Sequence, residues 1–173
     1  AMYENSTGGQ NTSVGTNAMY YNTVGNYNAV FGINALRNNT TGSYNVAIGN
    51  SALNSNSTAS GNTAIGNNAG LLNTTGSENV FIGYNAGNND NYQTASNKLV
   101  IANSNTTTPL IDGDFSDATL KVNGSLSVTG SMNMGVNSTI TSSSTFNGTA
   151  TIIPVNTSGG AVTITIDSDQ KVA

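Results

Sequence analysis

The apolar positions of this chain recur with a period of 17 residues and not with the period of a helix. Val14, Phe31, Ile48, Ile65 and Ile82 stand 17 apart, each followed by Gly15, Gly32, Gly49, Gly66 or Gly83. Three positions after each Gly comes Ala18, Ala35, Ala52, Ala69 or Ala86, and four before it Asn11, Asn28, Asn45, Asn62 or Asn79. Five copies in phase make self-similarity the first fact to explain. Segments such as Asn45-Val46-Ala47-Ile48 predict strands of three or four residues. Each Gly ends its strand at a corner, and returns such as Asn39-Thr40-Thr41-Gly42 or Asn73-Thr74-Thr75-Gly76 carry turn chemistry. Met19, Leu36 and Leu53 lie behind the recurring Ala, which is expected to point inward.

Residues in phase stack in parallel, so 17 residues predict one coil of a β solenoid rather than a hairpin array. At about 4.8 Å per coil the five copies rise about 24 Å. Alternation puts Thr12, Ala29, Val46, Thr63 and Val80 on one strand face with Val14, Phe31, Ile48, Ile65 and Ile82. The other face carries Ser13, Val30, Ala47, Ala64 and Phe81. Both are largely apolar, the signature of strands buried on both sides. The expectation is that the first face fills the coil and that the second, the Ser13 to Phe81 row, packs against other chains. The Asn rows read as internal ladders, each amide bonding to the copies above and below; the alternative is a row lining a ligand or ion path.

Past Tyr92 the phase slips. Asn97-Lys98-Leu99-Val100-Ile101 reads as a last strand entered one residue late without its Gly. The segments 108–115 and 118–124 follow, the latter alternating Leu120 and Val122 with polar neighbours, and Leu126 and Val128 continue that pattern past a turn at Gly124. Ser131 to Ala150 is polar and weakly patterned, whereas Thr151–Val155 and Ala161–Ile166 flank Ser158-Gly159-Gly160 as a hairpin. The expected organisation is an N-terminal remnant at 1–7, the 17-residue-repeat solenoid at 8–96, a β connector at 97–130 and a C-terminal β region at 131–173. Ala1-Met2 reads as a cloning remnant and the C-terminus as truncated.

Composition narrows the function. Of 173 residues only 7% are charged and 36% are hydrophobic, with two Pro, so the chain is too apolar and too weakly charged for a disordered tract. It lacks His and Cys, the commonest general base and the thiolate ligand, which argues against a triad or a zinc site; no cofactor or metal is expected. Net charge is −4 with four basic residues, Arg37, Lys98, Lys121 and Lys171, which leaves no basic stripe for nucleic acid. No apolar run approaches the roughly 20 residues of a membrane span, so membrane insertion is not expected. Asn39-Thr40-Thr41 and Asn56-Ser57-Thr58 match glycosylation acceptors, as chance produces in a chain so rich in Asn and Thr.

The motifs Asn45-Val46-Ala47-Ile48-Gly49 and Asn62-Thr63-Ala64-Ile65-Gly66 resemble the Asn-Ser-X-Ala-Ile-Gly repeat of trimeric autotransporter adhesin heads (YadA-like). The likeness covers residues 8 to 87. Its 17-residue spacing exceeds that family's usual coil and is more similar to phage tail fibres, with Gly42-Ser43-Tyr44-Asn45-Val46-Ala47-Ile48-Gly49 as a typical copy. The segments 97–101, 108–115 and 120–124 resemble the stretch that succeeds such repeats in tail fibre proteins. The resemblance implies a homotrimer of left-handed parallel β rolls.

The expected function is a structural fibre module of a virion tail fibre, or of a bacterial surface or secreted adhesin, that supports attachment to a host cell or glycan receptor. No catalytic residue is assigned and no enzyme is expected. A polysaccharide-cleaving tailspike would need paired carboxylates, for which Asp112, Asp114 and Asp117, or Asp167 and Asp169, are the candidates; Asp112 and Asp114 alone fall short of calcium's oxygen count. An ice-binding solenoid would need Thr in outward register, but the Thr23, Thr40, Thr74 column is interrupted by Ser57 and Asn91, and the Thr41, Thr58, Thr75 column begins with Val24 and ends with Tyr92.

Overall fold

The computed structural model describes residues 1–129. The hairpin expected around Gly159 and the candidates Asp167 and Asp169 lie outside the described residues. Ala1–Ser127 forms one compact unit, which is all-β apart from a 3-10 turn at Asp90–Tyr92. Its eight strands form one sheet in sequence order: β1 Thr12–Val14, β2 Ala29–Phe31, β3 Val46–Ile48, β4 Thr63–Ile65, β5 Val80–Ile82, β6 Lys98–Ile101, β7 Ile111–Asp114 and β8 Thr119–Val122.

The first five strands are parallel with each residue opposite its copy 17 positions on, as in Ala29↔Val46 and Val46↔Thr63. This is the β solenoid the repeat predicts. β6 is a sixth parallel rung, but Val80 faces Leu99, a step of 19. The two extra residues are accommodated around the Asp90–Tyr92 turn. Lys98 therefore stands where the repeat has Asn, its N–H donating to Asn79 Oδ1 at 2.9 Å. The strand is entered two residues late and not one. β7 and β8 then reverse direction and close the sheet antiparallel.

The core is a narrow stack of three columns. Ala18, Ala35, Ala52, Ala69 and Ala86 are fully buried, with Met19, Leu36 and Leu53 beside them and Val30, Ala47, Ala64, Phe81 and Val100 from the strands. A chain with so little apolar volume cannot rest on packing alone, and buried amides supply the remainder. Asn45 Oδ1 accepts the N–H of Asn62 (3.0 Å) while its Nδ2 donates to the Ala59 carbonyl (3.0 Å). The same pair of bonds recurs at Asn28 and Asn62. A second internal column, Asn22, Asn39, Asn56 and Asn73, is also fully buried. Asn39 Nδ2 donates to Asn22 Oδ1 and to the Gly42 carbonyl, both at 2.8 Å. Buried polar groups persist because they are bonded in this way; Asn56 Oδ1 and Asn73 Oδ1 at the end of the second column have no partner among the described residues.

The corner after each strand requires Gly for a steric reason. Gly32 and Gly49 have φ of 149° and 133°, and a Cβ on Gly32 would run into the carbonyl of Gly49 one coil on.

Candidate functional surface

The strand faces are the reverse of the sequence expectation. The row Val30, Ala47, Ala64 and Phe81 points into the coil at zero exposure, whereas Val14, Phe31, Ile48 and Ile65 point outward and are 40 to 55% exposed. Ala29, Val46, Thr63 and Val80 share that outward face and are half-buried. The physical reason is the ladder itself. Asn45 and Ala47 are two apart and share a face, so an Asn column buried inside the coil carries Ala47 inward and turns Val46 and Ile48 out. An internal Asn ladder and inward Val and Ile are incompatible, and that conflict was readable from the sequence.

The outward rows run on through all eight strands. Register aligns Val14, Phe31, Ile48, Ile65, Ile82, Ile101, Ile111 and Val122 in one row, and Thr12, Ala29, Val46, Thr63, Val80, Leu99, Gly113 and Leu120 in the next. At seven strand spacings this strip is about 34 Å long. It carries no charged residue.

The opposite face changes character at the end of the sheet. Val100 is the last apolar inward residue; Asp112 lies across from it and Lys121 across from Asp112. Lys98 and Asp114 are likewise opposite and form an ion pair. These four charges and Tyr92 line an open cleft of about 390 Å³. Tyr92 closes the coil interior, its ring edge-on to Phe81 at 5.8 Å between centroids. Burial, then the charge of Asp112 and hydrogen bonding to it, pushes the Tyr92 phenol above its ordinary value. Asp114 is held well below the usual carboxylate range, first by Lys98 and then by Ser116. β7 and β8 thus have charge on the inward face and Ile111, Leu120 and Val122 outward, the inverse of what a lone soluble hairpin would present to water.

The remaining candidates fall into place around this. Of the acids weighed as catalytic, Asp114 is tied to Lys98, Asp112 faces Lys121, and Asp117 donates its backbone N–H to Asp114 Oδ1. In the Thr23 and Thr40 column the hydroxyls donate to carbonyls one coil on, Thr23 to Thr40 at 2.9 Å and Thr40 to Ser57 at 3.0 Å. Asn39 and Asn56 of the glycosylation triplets are fully buried. Among the described residues no group of three or more potential metal-ligating side chains occurs, and no helix is long and apolar enough to cross a membrane.

No family model, curated protein or solved structure matches the chain. The class it defines on its own geometry is a parallel β solenoid with one continuous apolar face.

Proposed function

We propose that this chain is a structural fibre module of a phage tail fibre or similar surface adhesin, working as a homotrimer that supports attachment to a host cell or glycan receptor. The observation that carries the reading is the uncharged outward strip over eight strands. Contiguous apolar surface of that extent is seldom left to water. A second copy of this chain suits it, because the ridges recur at one strand spacing and only a partner with the same pitch meets every one of them. The strip is two residues wide, narrow enough for three to converge on an axis with closed symmetry. The number three comes from the resemblance of the repeats to trimeric adhesin heads.

Two alternatives have less support. A glycan-cleaving site would need a free carboxylate pair, and of the two acids of the cleft Asp114 is ion-paired with Lys98 while Asp112 stands across the strand from Lys121. An ice-binding face would need outward hydroxyls, and those of Thr23 and Thr40 are engaged with the backbone. Light scattering tests the reading: the expected mass is three times that of the chain, and a monomer across the accessible concentration range would sink it.

A further inference from the structure

We propose that the notch between Tyr44 and Glu78 is a binding site for a small organic cation of the quaternary ammonium type. It is built within one chain and does not rest on the assembly proposed above.

The notch arises from a gap in one column of the repeat: Gln10, Tyr27, Tyr44, Gly61 and Glu78 stand 17 apart at the turn before each strand. The backbone is the same at each level. Tyr27, Tyr44, Gly61 and Glu78 have φ of 57°, 61°, 73° and 60°, and the N–H groups of Tyr44, Gly61 and Glu78 each donate to a carbonyl of the coil before at 3.0 Å. Side chains in this column therefore stack along the solenoid. The rings of Tyr27 and Tyr44 do so, 4.9 Å apart between centroids and within 6° of parallel.

Gly61 interrupts the stack. One face of Tyr44 lies on Tyr27 and the other is turned toward the level of Gly61, which has no side chain of its own. Tyr44 is accordingly 63% exposed against 48% for Tyr27. The far wall is Glu78, two coil spacings or about 9.6 Å along from Tyr44. Its side chain leans over the floor, for a methyl group on Gly61 would come within 3.3 Å of Glu78 Cγ. Glu78 forms no ion pair among the described residues.

The chemistry of the walls selects the ligand. An aromatic face carries the negative part of the ring quadrupole and attracts a cation. The opposing wall is a carboxylate, and Arg37, the one basic residue before Lys98, is held over the Tyr21 ring. An anion would be repelled by both walls, and an uncharged apolar group would strip water from Glu78 with nothing in return. A trimethylammonium head offers positive charge to both walls at once.

The test uses the full chain and choline chloride, followed by chemical-shift changes and calorimetry, with 3,3-dimethylbutanol as a probe of the same shape without charge and methyl glucoside as a neutral polar ring. Choline is expected to shift resonances of Tyr44, Gly61 and Glu78 saturably while the two neutral probes do not. Tyr44→Ala and Glu78→Gln each weaken choline binding roughly threefold to tenfold. Gly61→Tyr, which completes the stack with a residue that Tyr27 and Tyr44 show to be tolerated in this conformation, abolishes it with melting temperature retained. Equal response to dimethylbutanol or to methyl glucoside, choline affinity left unchanged by Tyr44→Ala, or no choline response would each overturn the assignment.

Discussion

The Phe81 ring occupies the volume that a side chain on Gly87 would need. A Cβ on Gly87 would collide with that ring, and one on Gly70 in the previous coil would lie 2.6 Å from Phe81 Cδ2. Gly70 and Gly87 stand in the column filled earlier by Met19, Leu36 and Leu53. The bulk of the core thus passes from the turn column to the strand column at β5, where the Phe81 ring fills the space beside Gly87 of its own coil and Gly70 of the one before.

This relation predicts a swap. Phe81→Ala is expected to cost about 3–5 kcal/mol, and Gly87→Leu alone to overpack the site by about 1–3 kcal/mol or more. The double substitution recreates the Ala47 and Leu53 pairing of the third coil, in which Leu53 has a φ of 50°. Its loss measured by denaturant unfolding should be well below the sum of the single losses. Additive losses would show that the columns do not share one volume.

A second prediction concerns the amide ladder. Asn45→Ala removes the acceptor of the Asn62 N–H and the donor to the Ala59 carbonyl, both inside the coil. The expected cost is about 2–4 kcal/mol, since each group is left buried and unpaired. At the half-exposed Asn11 the same change should cost clearly less, because water can enter the space its side chain leaves. Thermal melts of the two variants decide it; equal losses would contradict the argument.

The solenoid was legible because its period fixes both spacing and register. In-phase Asn, Gly and Ala cannot be satisfied by hairpins, and the inward Ala column follows from its size. Which strand face is inside was legible too, through the two-residue step from Asn45 to Ala47, but both faces are apolar and hydrophobicity alone does not decide between them. The second ladder, Asn22 to Asn73, was visible as a 17-residue column and masked by its turn-like surroundings. The reversal at β7 was hidden for a different reason: Asp112 and Lys121 look like ordinary surface charges until pairing puts them in line with Val100. The notch at Gly61 carries no sequence signal of its own beyond a break in a tyrosine column.

The charged end of the sheet predicts opposite pH limbs. Asp114 has a folded-state pKa below that of the unfolded chain, so its contribution is present above about pH 4 and is lost as pH falls through the folded value. Asp114→Asn should flatten the acid limb of the stability profile. Tyr92 is raised above its ordinary value of 10.0, so its contribution is complete below that pH and is lost as pH rises through the folded value. Tyr92→Phe should flatten the alkaline limb. Melting curves across both ranges would show either limb unchanged if these groups stay solvated.

The last prediction separates the inside of the coil from the outside, and with it the surface on which the proposed function rests. Ala47 and Ala64 are fully buried, and Glu at either would bring a carboxylate into a core whose nearby amides are already engaged with one another. Such a charge costs several kcal/mol when unpaired, so Ala47→Glu should lose the fold itself. Ile48 and Ile65 are 40% exposed on the other face, and each coil closes its own core without them. The pair Ile48→Asp and Ile65→Asp should therefore keep the β circular dichroism of the solenoid while light scattering shows a fall from trimer to monomer, because carboxylates would be gathered near one axis with no cation of the strip to pair them. The contrast between the two variants is the measurement. A folded Ala47→Glu chain would mean that the Ala47 row faces outward. A double Asp variant that keeps its full mass and melting point would mean that the strip touches only water, and the fibre reading would lose its physical basis.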